Sequence, residues 1–211
     1  MNFKLISVFA AGLLAAAPAF SAAVTLDFEG ASSFQSLDGF YNGGTDTGGA
    51  SGTNYGVSFG LDALALSNDE LGPYYSNAPT SGAVLAPVGL DAALNASTGF
   101  IGQASFYYSA VEDTSVSIFS GLNGTGTLLG TIELLANAQN GGCSDTAYCY
   151  WSLASLSFSG VAQSIQFGDA ANVAGFDNVS LAPVPLPAAV WLMLSALGGV
   201  GVITRRKPAA V

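Results

Sequence analysis

From about residue 24 to residue 182 the chain alternates apolar and polar side chains in short runs, each closed by Gly, Asn, Asp, Ser or Thr. A two-residue period puts successive side chains on opposite faces of an extended backbone, so these runs predict β-strands rather than helices. The predicted strands are Val24–Phe28, Tyr55–Phe59, Ala63–Ser67, Gly82–Val88, Gly102–Ser109, Ser115–Ser120, Leu128–Leu134, Ser152–Phe158, Ser164–Phe167 and Val173–Leu181. Ile165 and Phe167 fall on one face of their run. Leu122-Asn123-Gly124-Thr125-Gly126 lies between two of the strands and carries the Asn-Gly pair of a tight hairpin turn. No long amphipathic helix is expected here, and Leu90–Ala96 has room for one helical turn. The pattern therefore predicts one all-β sandwich or barrel spanning 24–182, large enough to bury a real core.

Two stretches depart from alternation because they are apolar throughout. Lys4, the run Leu5–Ala17 and the small residues around Ala19-Phe20-Ser21-Ala22-Ala23 have the layout of a secretory signal peptide, residues 1–23. Cleavage after Ser21 or after Ala23 satisfies the small-x-small rule, and the other reading is a retained N-terminal anchor. Near the other end, the 16 residues Ala188–Ile203 give roughly 24 Å of helix. That is short of the ~20 residues of a full span, although Val184–Pro187 lie at the membrane edge and extend it. Trp191 suits an interface, and Arg205, Arg206 and Lys207 hold the C-terminus on the cytoplasmic side. The segment 183–211 thus reads as a single transmembrane helix with a basic stop; a buried core helix is the alternative, but the run has no polar face.

The tail also carries a motif. Val184-Pro185-Leu186-Pro187-Ala188, the apolar helix and the basic stop together resemble the VPLPA-type variant of the PEP-CTERM sorting signal. In that family an exosortase, a membrane-embedded thiol protease and transpeptidase, recognises the motif and cuts near it. The resemblance implies export through the inner membrane, transient anchoring by the C-terminal helix, and a cell-surface or extracellular destination among exopolysaccharide. It gives an address and no activity.

Setting both ends aside changes the electrostatics. All four basic residues (Lys4, Arg205, Arg206, Lys207) lie in the end segments, and all 14 acidic residues lie between Asp27 and Asp177. The body therefore has 14 acids and 0 bases, a formal charge of −14, and no His. Nothing in it can neutralise phosphate, which excludes nucleic acid as a partner. Self-repulsion has to be spread over the surface or relieved by cations.

The body opens with Val24-Thr25-Leu26-Asp27-Phe28-Glu29-Gly30 and closes with Gly175-Phe176-Asp177-Asn178-Val179-Ser180-Leu181. These strands resemble the first and last strands of a jelly-roll β-sandwich, similar to galactose-binding and family-6-type carbohydrate-binding modules. The resemblance implies a structural Ca²⁺ held by Asp27, Glu29 and Asp177, with Asn42 or Asp46 completing an all-oxygen shell of the kind Ca²⁺ prefers. The simpler reading leaves these acids as solvated strand-edge residues.

Cys143 and Cys149 are six positions apart after the Asn140-Gly141-Gly142 turn, and in an exported chain they predict a local disulfide. Without His, Lys or Arg in the body, His-based triads, Ser-Lys dyads and His-ligated zinc are ruled out. Paired carboxylates could still hydrolyse glycosides, but Asp69-Glu70 and Glu112-Asp113 read as loop charges because neighbours on a strand face opposite ways. Among the aromatics, Tyr74, Tyr75 and Tyr148 are the candidates for stacking on sugar rings, whereas Phe106, Tyr108 and Trp151 are placed to alternate into the core. The sequence thus predicts a non-catalytic surface or matrix protein processed by exosortase, or alternatively a carbohydrate-binding module with a defined glycan site.

Overall fold

A computed structural model describes residues 22–70, 72–142 and 146–184 of the chain. The predicted leader, the sorting residues Pro185, Leu186, Pro187 and Ala188, the basic stop Arg205, Arg206 and Lys207, and Cys143 lie outside the described residues. Among the described residues no helix is long and apolar enough to cross a membrane.

Among the described residues nine strands carry the fold: β1 Val24–Leu26, β2 Val57–Phe59, β3 Ala63–Leu66, β4 Val84–Pro87, β5 Ala93–Ala110, β6 Thr114–Phe119, β7 Leu128–Leu134, β8 Ser152–Gln166 and β9 Ala174–Pro183. A 3-10 turn, Gly168–Ala170, precedes β9. The order along the sheet is β3-β4-β9-β5-β8-β6-β7, with β1 added on β9 and β2 on β5. All the pairings are antiparallel.

β5 and β8 turn this sheet into two layers. The first half of β5 pairs with β2 and with the end of β8, while its second half pairs with β9 and with the start of β8. Register slips between Asn95 and Phe100, and again between Ile101 and Gln103, bend the pair. Gly99 stands at the first slip with φ of 80°, and a Cβ there would collide with Val161. Bulges of this kind sharpen twist and let one strand serve two layers.

The two layers close on a single apolar cluster to which all nine strands contribute; β8 does so through Ala162 and Ile165, while Ala154, Leu156 and Phe158 in its first half pack against it partly buried. Phe106, Phe167 and Phe176 form its centre, with ring centroids 4.7 to 5.9 Å apart in tilted and edge-on arrangements. Each such ring, fully buried, stabilises the fold by about 1.5–3 kcal/mol through removal of apolar surface from water.

The helical turn expected at Leu90–Ala96 is corrected: Ala93 to Ala96 open β5, because Leu94 and Ala96 point into the core while Asn95 points out. The separate strands expected at Ser152–Phe158 and Ser164–Phe167 are one strand, β8, continuing through Gly160.

Candidate functional site

The opening and closing strands do lie side by side, with Val24 opposite Leu181 and Leu26 opposite Val179. That pairing brings Asp27, Glu29 and Asp177 into one neighbourhood. Asp177, on β9, is fully buried at 0 % exposure. Its Oδ2 accepts the N–H of Thr80 at 2.8 Å and its Oδ1 the N–H of Asn178 at 2.7 Å. Asn178 has φ of 51° at a register slip of β9 on β5. Burial, the largest influence, pushes the Asp177 carboxyl up to about 6; the two N–H donors oppose it and the charges of Glu29 and Asp27 add to it.

Glu29 folds over the backbone of Gly82, and its Oε1 accepts the N–H of Ala83 at 3.4 Å. The Oδ1 of Asp27 accepts the N–H of Glu29 at 3.3 Å and the O–H of buried Tyr41 at 3.2 Å. Backbone and phenol donors thus serve all three carboxylates. Among the described residues no group of three or more His, Cys, Asp or Glu is arranged to hold a metal ion. Asn42 is not with them: its Oδ1 accepts the N–H of Gly44, and the residue lines a separate cavity. Asp46 is buried within its own loop, where the N–H groups of Ser32, Gly48 and Ala50 all donate to it. Burial opposes its ionisation, yet those donors win and hold the carboxyl below the usual aspartate range. A raised carboxyl is also the mark of a general acid, but Asp177 has no surface to present to a substrate.

The three tyrosines are placed differently from one another. Tyr75 is buried at 5 % exposure, its O–H donates to the carbonyl of Gly82 at 2.9 Å, and its ring meets Trp151 edge-on. It belongs to a second, small core with Leu66 and Val84, so the expectation of an open Tyr75 platform is corrected. Tyr148 packs half-buried on the same cluster. Tyr74 is half-buried and makes an edge-on pair with Phe34, centroids 5.1 Å apart, while its O–H donates to Asp69 at 3.3 Å. Phe34 is 48 % exposed and holds φ of 59°, an unusual backbone for so large a side chain. The Phe34–Tyr74 pair is the aromatic surface that the sequence reading half found. Phe106 and Tyr108 are buried as expected, and Trp151 is half-buried.

A cavity of about 520 Å³ lies on the outer face where β2 and β5 pair. Ser58 on β2 stands opposite Asn95 on β5, which in turn stands opposite Ser164 on β8. The β6–β7 hairpin folds back over this row. Its tip has Asn123 at φ 54° and Gly124 at φ 67°, with the N–H of Thr125 donating to Leu122 at 3.1 Å, the primed turn that Asn-Gly prefers. Ser164 Oγ donates to the carbonyl of Gly121 at 2.6 Å and accepts the N–H of Gly124 at 3.0 Å. Asn95 Nδ2 donates to Asn123 Oδ1 at 2.8 Å, and Asn123 N–H donates to Asn95 Oδ1 at 2.7 Å. Asn42, Ser97 and Leu122 complete the wall. The sequence marks Asn42 as a metal-ligand candidate and Leu122 and Asn123 as a hairpin turn, and none of the lining residues as part of a cavity.

Asp69-Glu70 and Glu112-Asp113 lie outside the strands, as expected of loop charges. Asp113 accepts the N–H of Ala136 at 2.8 Å.

No family model and no curated protein matches the chain. Among solved structures it is similar to a family 6 carbohydrate-binding module from Clostridium stercorarium in complex with cellobiose, at 17 % identity and a TM-score of 0.38 over 59 % of this chain and 85 % of that one. A module of Cellvibrio mixtus lichenase 5A in complex with cellotriose gives 12 % identity and 0.37 over 60 % and 91 %. A family 29 carbohydrate-binding module gives 11 % identity and 0.39 over 77 % and 92 %. Likeness at this level carries no argument about function.

Proposed function

We propose that this chain is exported, processed by an exosortase at its Val184–Ala188 motif, and works outside the cell as a non-catalytic, glycan-associated module on a jelly-roll-type β body. The observation that carries the glycan part is exposed Phe34 paired edge-on with half-buried Tyr74 beside Asp69. Planar apolar edges next to a hydrogen-bonding carboxylate suit the mixed faces of a sugar ring. A body with 14 acids and no base is repelled by acidic polymers, so an uncharged polysaccharide is the compatible partner. The non-catalytic part is supported by the lack of His, Lys and Arg in the body and by the burial of Asp177.

Two measurements test it. Mass spectrometry of the extracellular chain from its native host should find the N-terminus at Ala22 or Val24 and a C-terminus near Val184–Ala188; an extracellular chain that still carries Arg205–Lys207 overturns the processing. Co-sedimentation with the host's own polysaccharide should be lost in Phe34→Ala/Tyr74→Ala at unchanged melting temperature. Full retention by that variant removes the aromatic pair from the proposal.

A further inference from the structure

The cavity under the β6–β7 hairpin is built, in the sense that its far wall is fixed. Four hydrogen bonds of 2.6 to 3.0 Å hold the hairpin tip to Asn95 and Ser164. Ser164 has 0 % exposure as a result, so the tip and the sheet keep one geometry. A fixed wall lets a ligand bind without ordering the loop first.

Its chemistry is selective by exclusion. Every polar lining side chain is an amide or a hydroxyl (Asn42, Ser58, Asn95, Ser97, Asn123), although the body around it carries only negative charge. An anion would meet that field with no counter-charge, and a cation would find no carboxylate in the wall. A neutral ligand with many hydroxyl groups is what remains. The reciprocal Asn95–Asn123 pair uses one of the four side-chain N–H donors the two amides carry, and each hydroxyl can both donate and accept. Leu122, 39 % exposed, supplies an apolar patch for the C–H face of a ring. The volume, about 520 Å³, falls within the ~300–1,000 Å³ of small-ligand clefts.

We propose that this cavity is a binding site for a neutral saccharide, centred on the Asn95–Asn123 amide pair. The proposal deepens the glycan reading above and rests on it for the ligand class, but it uses residues that the Phe34–Tyr74 surface does not.

Isothermal titration of the full chain in detergent with cellotetraose, mannotetraose and galactotetraose, and with tetragalacturonate as the acidic comparison, tests it. At least one neutral tetrasaccharide should bind saturably and tetragalacturonate should not. Asn95→Asp, which removes the donor and places a charge in the wall, should weaken binding about tenfold or more, since a good buried hydrogen bond and its desolvation are worth that much. Ser97→Trp starts from an exposed strand position and fills the cavity without touching the hairpin ties; it should abolish binding at unchanged melting temperature. Binding that survives both substitutions but is lost in Tyr74→Ala overturns the cavity and leaves the glycan reading standing. No binding by any of the four sugars overturns the cavity, and with retention on host polysaccharide still present the broader reading survives.

Discussion

Thr80 donates its backbone N–H to the fully buried carboxylate of Asp177 at 2.8 Å, and its hydroxyl to Asn178 Oδ1 at 2.9 Å. A loop far away in sequence is thereby fastened to the last strand by an acid that burial disfavours in its charged form. Thr80 is a neutral partner, and the body holds no cationic one.

Stability should therefore depend on pH in a specific direction. Asp177 titrates near 3.8 when unfolded and at about 6 when folded, so the fold favours its protonated form. Its stabilising contribution is whole below 3.8 and is lost as pH rises through 6, a change on the order of 2–3 kcal/mol at most. Asp46 works the other way: its contribution is present above the usual aspartate range and is lost as pH falls. Melting temperature should peak on the acid side of neutrality and decline toward pH 7, and Asp177→Asn should flatten that decline. Calcium should leave the profile in place, because N–H donors already serve these carboxylates; a calcium-induced rise reversed by EDTA would return the ion to the site.

Ser109 Oγ is the one buried side-chain polar atom without a hydrogen-bond partner among the described residues. Ser109→Ala keeps the volume nearly constant and removes that desolvation cost. It should stabilise the chain by about 1 kcal/mol, read as a higher urea midpoint at unchanged slope. A destabilised variant would mean that the hydroxyl is satisfied in solution.

Two glycines separate backbone strain from crowding. Gly49 has φ of 95° in open space, whereas Gly99 has φ of 80° and faces Val161 and the Ala162 carbonyl. Gly49→Ala should cost about 1–2 kcal/mol, the ordinary price of left-handed backbone. Gly99→Ala should cost clearly more, about 2 kcal/mol or above, because the β5–β8 bend must also shift. Chemical denaturation of the two variants gives the comparison directly.

Cys149 is buried at 1 % exposure. Its expected pairing with Cys143 predicts that neither thiol reacts with iodoacetamide in denaturant until a reductant is added. Reduction should then lower stability by about 2–3 kcal/mol, the loop entropy of so short a ring. Alkylation without reductant would dismiss the bridge.

Legibility followed the range of the interactions. β7 matches its expected bounds, Leu128–Leu134, because the Asn-Gly hairpin sets its start and Ile132 and Leu134 alternate with Glu133 at its end. That hairpin was readable from Asn123 and Gly124. β5 and β8 were read as shorter pieces, since Gly99, Gly102 and Gly160 look like turn signals in sequence but act as bends inside continuous strands. Asp27, Glu29 and Asp177 could be grouped from the two terminal strands, yet their donors, Thr80, Ala83 and Tyr41, come from loops that no local pattern ties to them. The amide cavity was least visible. Ser58 and Asn95 read as ordinary polar positions, and Asn123 only as a turn residue, until the β2–β5 register and the folded-back hairpin bring them together.

The antiparallel register that sets Val24 against Leu181 also fixes how the body bears load. Both of its extremities leave from the same rim, so a pull between them peels β1 off β9 one bond at a time instead of shearing the ladder. Stretched in that direction, the sheet should open like a zipper at low force. Gripped at Val24 and at the distant Ala110 corner, it should hold far longer.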